Sequence, residues 1–189
     1  MGCADLREFM AELASASLLT RVAEPVSLVH EMTEIHRRVL AAQGPAILFE
    51  RPVDANGRRL AHPVLVNLFG TPRRVAMGLG LDEDGMVGLG ETLAYLRNPE
   101  PPATLRGAWR RLPELRAALA MGTQRVSRAP AQDVVLPAAV LDLRDLPIQW
   151  CWPGEPAPLI TWPLVITRDP KNSADINVGV YRLQVLGHD

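Results

Sequence analysis

Several things are scarce or missing in this sequence, and each shortage excludes a class of protein. The N-terminus "MGCADLREFMAELAS" lacks the basic start and apolar run of a secretory signal. No stretch approaches the roughly 18 consecutive apolar residues of a membrane-spanning helix. Cysteine is rare: Cys3 and Cys151 lie far apart, which offers neither a disulfide framework nor a zinc spacing and leads us to expect a reducing, cytoplasmic setting. Charge of one sign is not in excess, because 20 Lys and Arg stand against 21 Asp and Glu, a formal net charge of −1. No general attraction to nucleic acid follows from that balance. The Met-Gly start is similar to a myristoylation signal, but Leu6 occupies the position where that signal wants Ser or Thr. Internal repeats and low-complexity tracts are absent. What remains is a globular composition, 48% hydrophobic and 22% charged over 189 residues, enough for one domain or one domain and part of another.

Periodicity then sorts the chain. Leu6, Phe9, Met10 and Leu13 recur at helical spacing behind Asp5, an N-cap residue. Leu28, Met32, Ile35 and Val39 repeat the pattern and predict a second helix from Ser27 to Gly44. Two short apolar runs, "PAILFE" and "PVLVNL", predict buried strands with an Asn-Gly turn between them. "TPRRVAMGLG" opens a helix with Pro72 in its first position, and "MVGLGETLAYLRNPEPP" reads as another, stopped by prolines. "PATLRGAWRRLPELRAALAMG" is helical, or helical in two pieces around Pro113, its arginines forming a solvated face. From about Ala131 the composition shifts to Val, Ile, Leu, Trp and Pro in short runs, the signature of an all-β segment. The expected division is an α/β (α+β) domain over residues 1–125 and a β domain over 126–189.

Several tempting motifs fail. Gly78 and Gly80 suggest a dinucleotide fingerprint, but Glu83 stands where its third glycine belongs. "LDEDG" lacks the alternating ligands of a calcium loop and reads as a solvated turn. His30 and His36 are six residues apart, which sweeps them about 240° around a helix, so they share no zinc. Cys151 has no neighbouring cation to activate it and reads as a packing residue.

The C-terminal half carries a resemblance. "LPIQWCWPGEPAPLITWPLVITRDP" followed by "NVGVYRLQVLG" resembles the UbiD family of reversible, non-oxidative decarboxylases, which includes the 3-polyprenyl-4-hydroxybenzoate carboxy-lyases of ubiquinone synthesis. "DLREFMAELASASLLTRVAEPVSLVHEMTEIHRRVLAAQGPAILFE" and "PVLVNLFGTPRRVAMGLG" are similar to that family's N-terminal domain, so nearly the whole chain is covered. The resemblance implies that residues 126–189 begin a split-β-barrel flavin-binding domain. It implies prenylated FMN held with a divalent metal, usually Mn2+, and often K+. Carried over by position, Asn177 is the metal ligand, Val180, Tyr181 and Arg182 form the cofactor-binding run, and Arg182 is the catalytic residue that pairs with a substrate carboxylate. These residue types suit the chemistry, since a hard cation at a phosphate wants oxygen donors and a guanidinium binds carboxylate in bidentate fashion. Thr161, Trp162 and Arg168 stay outside the implied site, with Trp162 read as core packing.

The implied partners are an aromatic acid substrate, a flavin prenyltransferase that supplies the cofactor, further copies of the full-length chain, and a membrane surface if the substrate is polyprenylated. Family members are longer, and their proton-handling glutamate and metal-binding histidine fall in segments beyond "LGHD", so His188 is not taken as a ligand. The isolated polypeptide is therefore expected to have little decarboxylase activity, and its incomplete barrel to leave apolar strand surface. The alternative is a non-catalytic, shortened paralogue acting as an assembly module. Geometry adds one constraint. Strict alternation puts Asn177, Gly179 and Tyr181 on one strand face and Val178, Val180 and Arg182 on the other, so a shared site requires a bulge or bend, expected at Gly179. Pro163, where the family often has glycine, removes a ladder donor and puts local pairing in doubt.

Overall fold

The computed structural model describes residues 3–98, 112, 116, 126–172 and 174–188. Helix α1 (Leu6–Ser15) starts as expected: the Asp5 carboxylate accepts the Glu8 N–H at 2.9 Å, satisfying an amide that a helix start leaves without an internal partner. Strand β1 (Leu19–Ser27) follows, and the sequence reading misses it because Arg21, Glu24 and Pro25 interrupt its apolar pattern. It pairs in parallel with β2 (Ala46–Val53), and its register shifts between Val22 and Pro25, next to a residue with no N–H to give a ladder. Helix α2 (Glu31–Ala41) makes the crossover that parallel pairing requires. Strand β3 (Val64–Val66) pairs antiparallel with β2, so β2 is central.

Helix α2 is shorter than the expected Ser27–Gly44 span at both ends. Ser27 still belongs to β1 and shapes the turn before the helix, its hydroxyl accepting the Val29 N–H while its own N–H donates to the Glu31 carboxylate at 2.7 Å. Gly44 lies past the helix; a Cβ there would come within 2.7 Å of the Val39 side chain, so the glycine permits a close approach. The expected apolar face does form the core: Met32, with Ile35 and Val39 beside it, packs against Leu28, Ile47, Phe49 and Val66. Ala46, Ile47, Leu48 and Phe49 are all buried, so β2 is covered on both faces. The Asn-Gly turn is present, with Gly57 at φ 78 and Val53 bridging Arg59 across it.

Two compact units form, one from Asp5–Thr71 with Pro137–Asp189, the other from Met1–Ala4 with Pro72–Leu136. In the second unit α3 (Pro72–Gly78) begins at the expected proline. Helix α4 (Glu83–Arg97) begins earlier than expected: the acidic "LDEDG" is a helix start, where Asp82 accepts the Gly85 N–H at 2.7 Å and negative charge suits the helix N-terminus. The helix expected over 102–122 lies outside the described residues, save Leu112 and Arg116, both helical. The boundary expected near residue 125 also lies outside them. Among the described residues no helix is long and apolar enough to cross a membrane.

The expected all-β segment opens with short 3-10 turns, at Pro130–Gln132, Ala138–Val140 and Leu143–Asp145. Its strands come later: β4 (Leu159–Ile160), β5 (Leu164–Arg168), β6 (Ile176–Val180) and β7 (Leu183–Gln184). Strand β5 pairs antiparallel with β6, and β4 with β7, so together they make one two-stranded ribbon in two pieces. Ile160 faces Leu183 and Leu164 faces Val180, which leaves Thr161, Trp162 and Pro163 opposite only Tyr181 and Arg182. That extra residue is a β-bulge, and Pro163, with no N–H to donate, falls within it. The ribbon base is tied to the α/β layer, because Gln149 bridges Leu159, and Trp150 donates to the Leu28 carbonyl at 3.0 Å and accepts from the His30 N–H at 2.9 Å. The expected apolar strand surface is present: Leu164, Ile166, Ile176, Val178 and Val180 are exposed on one ribbon face.

Candidate functional site

The β5–β6 register fixes which side chains share a face. Thr167 is paired with Asn177 and Val165 with Gly179, so these four lie on one face, opposite the apolar side chains. The Tyr181 ring turns back onto this face over Gly179. A Cβ on Gly179 would stand 2.5 Å from the ring and 3.1 Å from the phenolic oxygen. Gly179 is thus needed for the close approach of an aromatic ring. The bend expected at this glycine is not there: pairing runs unbroken from Arg168 opposite Ile176 to Leu164 opposite Val180. The irregularity comes after Val180, where the extra residue sits on the partner segment Thr161–Pro163.

This displacement matters for Arg182. Val180 is the last residue of β6, and Tyr181 and Arg182 span the break between the two ladders. Tyr181 and Arg182 lie outside the paired strands, so alternation along β6 does not by itself fix the direction of the Arg182 side chain. Asn177, Val180, Tyr181 and Arg182 are all exposed. Trp162 is exposed as well, at 74%, which corrects the expectation that it packs in a core. Its place in the bulge puts it against Phe69, ring centroids 6.0 Å apart, and Phe69 stacks on Phe9 at 5.8 Å.

The donors on the Asn177 face are oxygens: the Asn177 amide, the Thr167 hydroxyl and the Tyr181 phenol. Such a set fits a hard cation, and being neutral it leaves room for an anionic phosphate to supply charge. Among the described residues no group of three or more His, Cys, Asp or Glu is placed to hold a metal ion. Thr167 is the residue that sequence reasoning missed. Its signal is the strand register, which becomes legible only once β5 and β6 are paired.

Other reactive-looking groups are committed elsewhere. A cavity of about 790 Å3 lies at the ribbon base, walled by Leu28, Leu60, Trp150 and Leu186, and none of the expected site residues line it. Its charges neutralise one another. Arg58 donates to Asp54 at 3.1 Å, to Asp145 at 2.8 Å and to the Arg144 carbonyl at 2.7 Å. Hydrogen bonds from the Arg144 side chain hold Asp142 down at about 2, so that carboxyl carries no proton to give at neutral pH. Cys151 is buried, as expected, and burial pushes its thiol up, away from the reactive thiolate. Burial also lowers the His36 pKa.

Comparison with known proteins is consistent along the chain. Residues 10–90 match the family model of the 3-octaprenyl-4-hydroxybenzoate carboxy-lyase N-terminal domain (UbiD_N), and residues 123–189 match that of the carboxy-lyase Rift-related domain (UbiD). An evolved dimeric form of the UbiD-class enzyme HmfF from Pelotomaculum thermopropionicum, solved in complex with prFMN, is 27% identical with a TM-score of 0.72, covering 99% of this chain and 37% of its own. HmfF from the same organism in complex with FMN is 28% identical with a TM-score of 0.70, covering 97% of this chain and 35% of its own. The vanillic acid decarboxylase of Sedimentibacter hydroxybenzoicus, in open form, shares the fold at 24% identity and a TM-score of 0.73, covering 100% of this chain and 38% of its own. The chain therefore spans little more than a third of the length of these solved relatives.

Proposed function

Because the chain belongs to the UbiD family of carboxy-lyases, we propose that it supplies the N-terminal domain and first cofactor strands of a non-oxidative decarboxylase for an aromatic or unsaturated acid. The default substrate is a 3-polyprenyl-4-hydroxybenzoate, after the activity for which the matching family models are described. The proposed cofactor is prenylated FMN with Mn2+ or a similar divalent cation, and with K+ as a further ion. In this reading residues 126–189 begin a split β-barrel, and the ribbon β4–β7 is its first part. The observation that carries the proposal is the all-oxygen face around Asn177, bordered by a bulge opposite Tyr181 and Arg182.

Asn177 would give its amide oxygen to the cation at the flavin phosphate. Tyr181, with its ring laid over Gly179, would bound the cofactor on the strand side, and Val180 would present backbone groups at the end of its ladder. When bound, prenylated FMN supplies the electron sink that accepts the bonding pair left as carbon dioxide departs. Arg182 would hold the substrate carboxylate in place for that departure by bidentate pairing. The paired residues Leu164–Arg168 and Ile176–Val180 include no Asp or Glu, so the ladder itself offers no carboxyl to return the proton.

The test is to produce the chain together with a flavin prenyltransferase and to measure flavin absorbance, bound Mn2+ and carbon dioxide release. We expect retained flavin and metal, both lost in Asn177→Ala, with negligible turnover. A wild type and an Asn177→Ala variant equally devoid of flavin and metal would overturn the binding role. Full turnover by the 189-residue chain would overturn the statement about the missing acid.

A further inference from the structure

We propose that Thr167 is a positioning residue for the Asn177 cation site, an inference that rests on the reading of Asn177 given above. An asparagine side chain is ambiguous as a ligand, since Oδ1 can coordinate a cation and Nδ2 cannot, and a half-turn about the terminal torsion exchanges them. A ligand asparagine needs a neighbour that accepts from Nδ2 and thereby holds Oδ1 toward the ion, the role that outer hydrogen-bond partners play for metal ligands generally. Thr167 is directly opposite Asn177 in the antiparallel register. Such pairs hold their Cβ atoms about 4.5–5.5 Å apart, within reach of a hydroxyl and an amide.

Within the β5–β6 ladder the other occupants of this face do not compete for the role. Val165 is apolar, and the Tyr181 hydroxyl lies over Gly179, one pair further along. Among the described residues neither Thr167 nor Asn177 makes a side-chain hydrogen bond, with each other or elsewhere, so both groups are free to pair when the cation binds. Thr167 Oγ1 accepts from Asn177 Nδ2 when the cation is bound, and the amide oxygen then faces outward. A merely structural role is separable. If Thr167 only favours the strand, Val should serve as well and Ser less well, because β-branching sets strand preference. If it orients the amide, Ser should serve and Val, its isostere without a hydroxyl, should not.

The experiment titrates Mn2+ in the presence of FMN into the isotope-labelled 189-residue chain and follows paramagnetic broadening of the backbone amides of residues 165–168 and 176–181. Asn177→Ala should abolish the local broadening. Thr167→Val should weaken Mn2+ binding about tenfold, the lower end of what losing an outer partner costs, and Thr167→Ser should stay close to wild type. If Asn177→Ala loses the broadening while Thr167→Val binds like wild type, or if Val outperforms Ser, the positioning role is overturned and the Asn177 site stands. If wild type shows no local broadening, or Asn177→Ala leaves it unchanged, the Asn177 reading fails and takes the Thr167 proposal with it.

Discussion

Replacing Asn67 tests how the parallel layer is held in register. Asn67 follows β3, is almost fully buried and sits at φ 56, a left-handed conformation that glycine and asparagine tolerate better than other residues. Its Nδ2 donates to the Gly44 and Pro45 carbonyls at 3.1 and 2.8 Å, tying the end of β3 to the connection between α2 and β2. Asn67→Ala removes both part-buried bonds, at about 1–1.5 kcal/mol each, and forces an ordinary residue into the left-handed region for about 1 kcal/mol more. The expected loss is about 3–4 kcal/mol. Asn67→Gly loses the same bonds without the backbone term, so it should be milder by about 1 kcal/mol. Asn67→Asp keeps the shape but turns an acceptor toward two carbonyl oxygens, and should be the worst of the three. Urea denaturation followed by tryptophan fluorescence measures all of them. Equal losses for the Ala and Gly variants would refute the backbone argument, and losses under about 1 kcal/mol for both would refute the hydrogen-bond argument.

Two further predictions concern the site and the solvent. Gly179→Ala should leave stability nearly unchanged, because an added methyl gains about 0.5–1 kcal/mol of strand preference while the exposed Tyr181 ring swings aside; FMN titration should nevertheless show weaker binding, and unaltered affinity would mean the ring position is irrelevant. Burial lowers the His36 pKa from 6.5, so its neutral form stabilises the fold above that value and this contribution is lost as pH falls through the folded-state pKa. Urea midpoints should decline as pH drops below about 6.5, and a His36→Gln variant with the same slope would refute the assignment to His36.

The sequence was most legible where a periodic pattern and its punctuation agree. Asp5, Phe9 and Leu13 announce α1, and Met32, Ile35 and Val39 announce the packed face of α2, because the core reads those residues at the period the chain carries. β1 was illegible for the opposite reason: Arg21, Glu24 and Pro25 hide a strand whose existence depends on a parallel partner more than 20 residues away. The acidic "LDEDG" misled because Asp serves equally in a solvated turn and at a helix N-cap, and only the backbone decides. At the candidate site, Asn177 and Tyr181 were visible by resemblance, but Thr167 was not. Whether a threonine lies beside an asparagine ten positions away depends on the register of a hairpin, and a slip of one residue would have put it on the other face.

That same register explains why the irregularity falls where it does. With a period of two, the run "INVGVYR" must divide its side chains between faces, and the face opposite Asn177 is built of Ile176, Val178 and Val180 with Leu164 and Ile166, and of Arg168 at the hairpin end. Apolar surface of this kind is stable only when covered, at about 25 cal/mol per Å2 removed from water, so any partner that completes the ribbon will seal that side. Arg168 lies at the hairpin end of that row, opposite Ile176, and is exposed, so a guanidinium on this face is not excluded in itself. The ladder breaks between Val180 and Leu183. A bulge at Gly179 would come too early, since it would shift Val180 out of the apolar row and move the Tyr181 ring off the glycine beneath it. Placed at Thr161–Pro163, the extra residue leaves the apolar row intact through Val180 and takes Tyr181 and Arg182 out of the paired ladder.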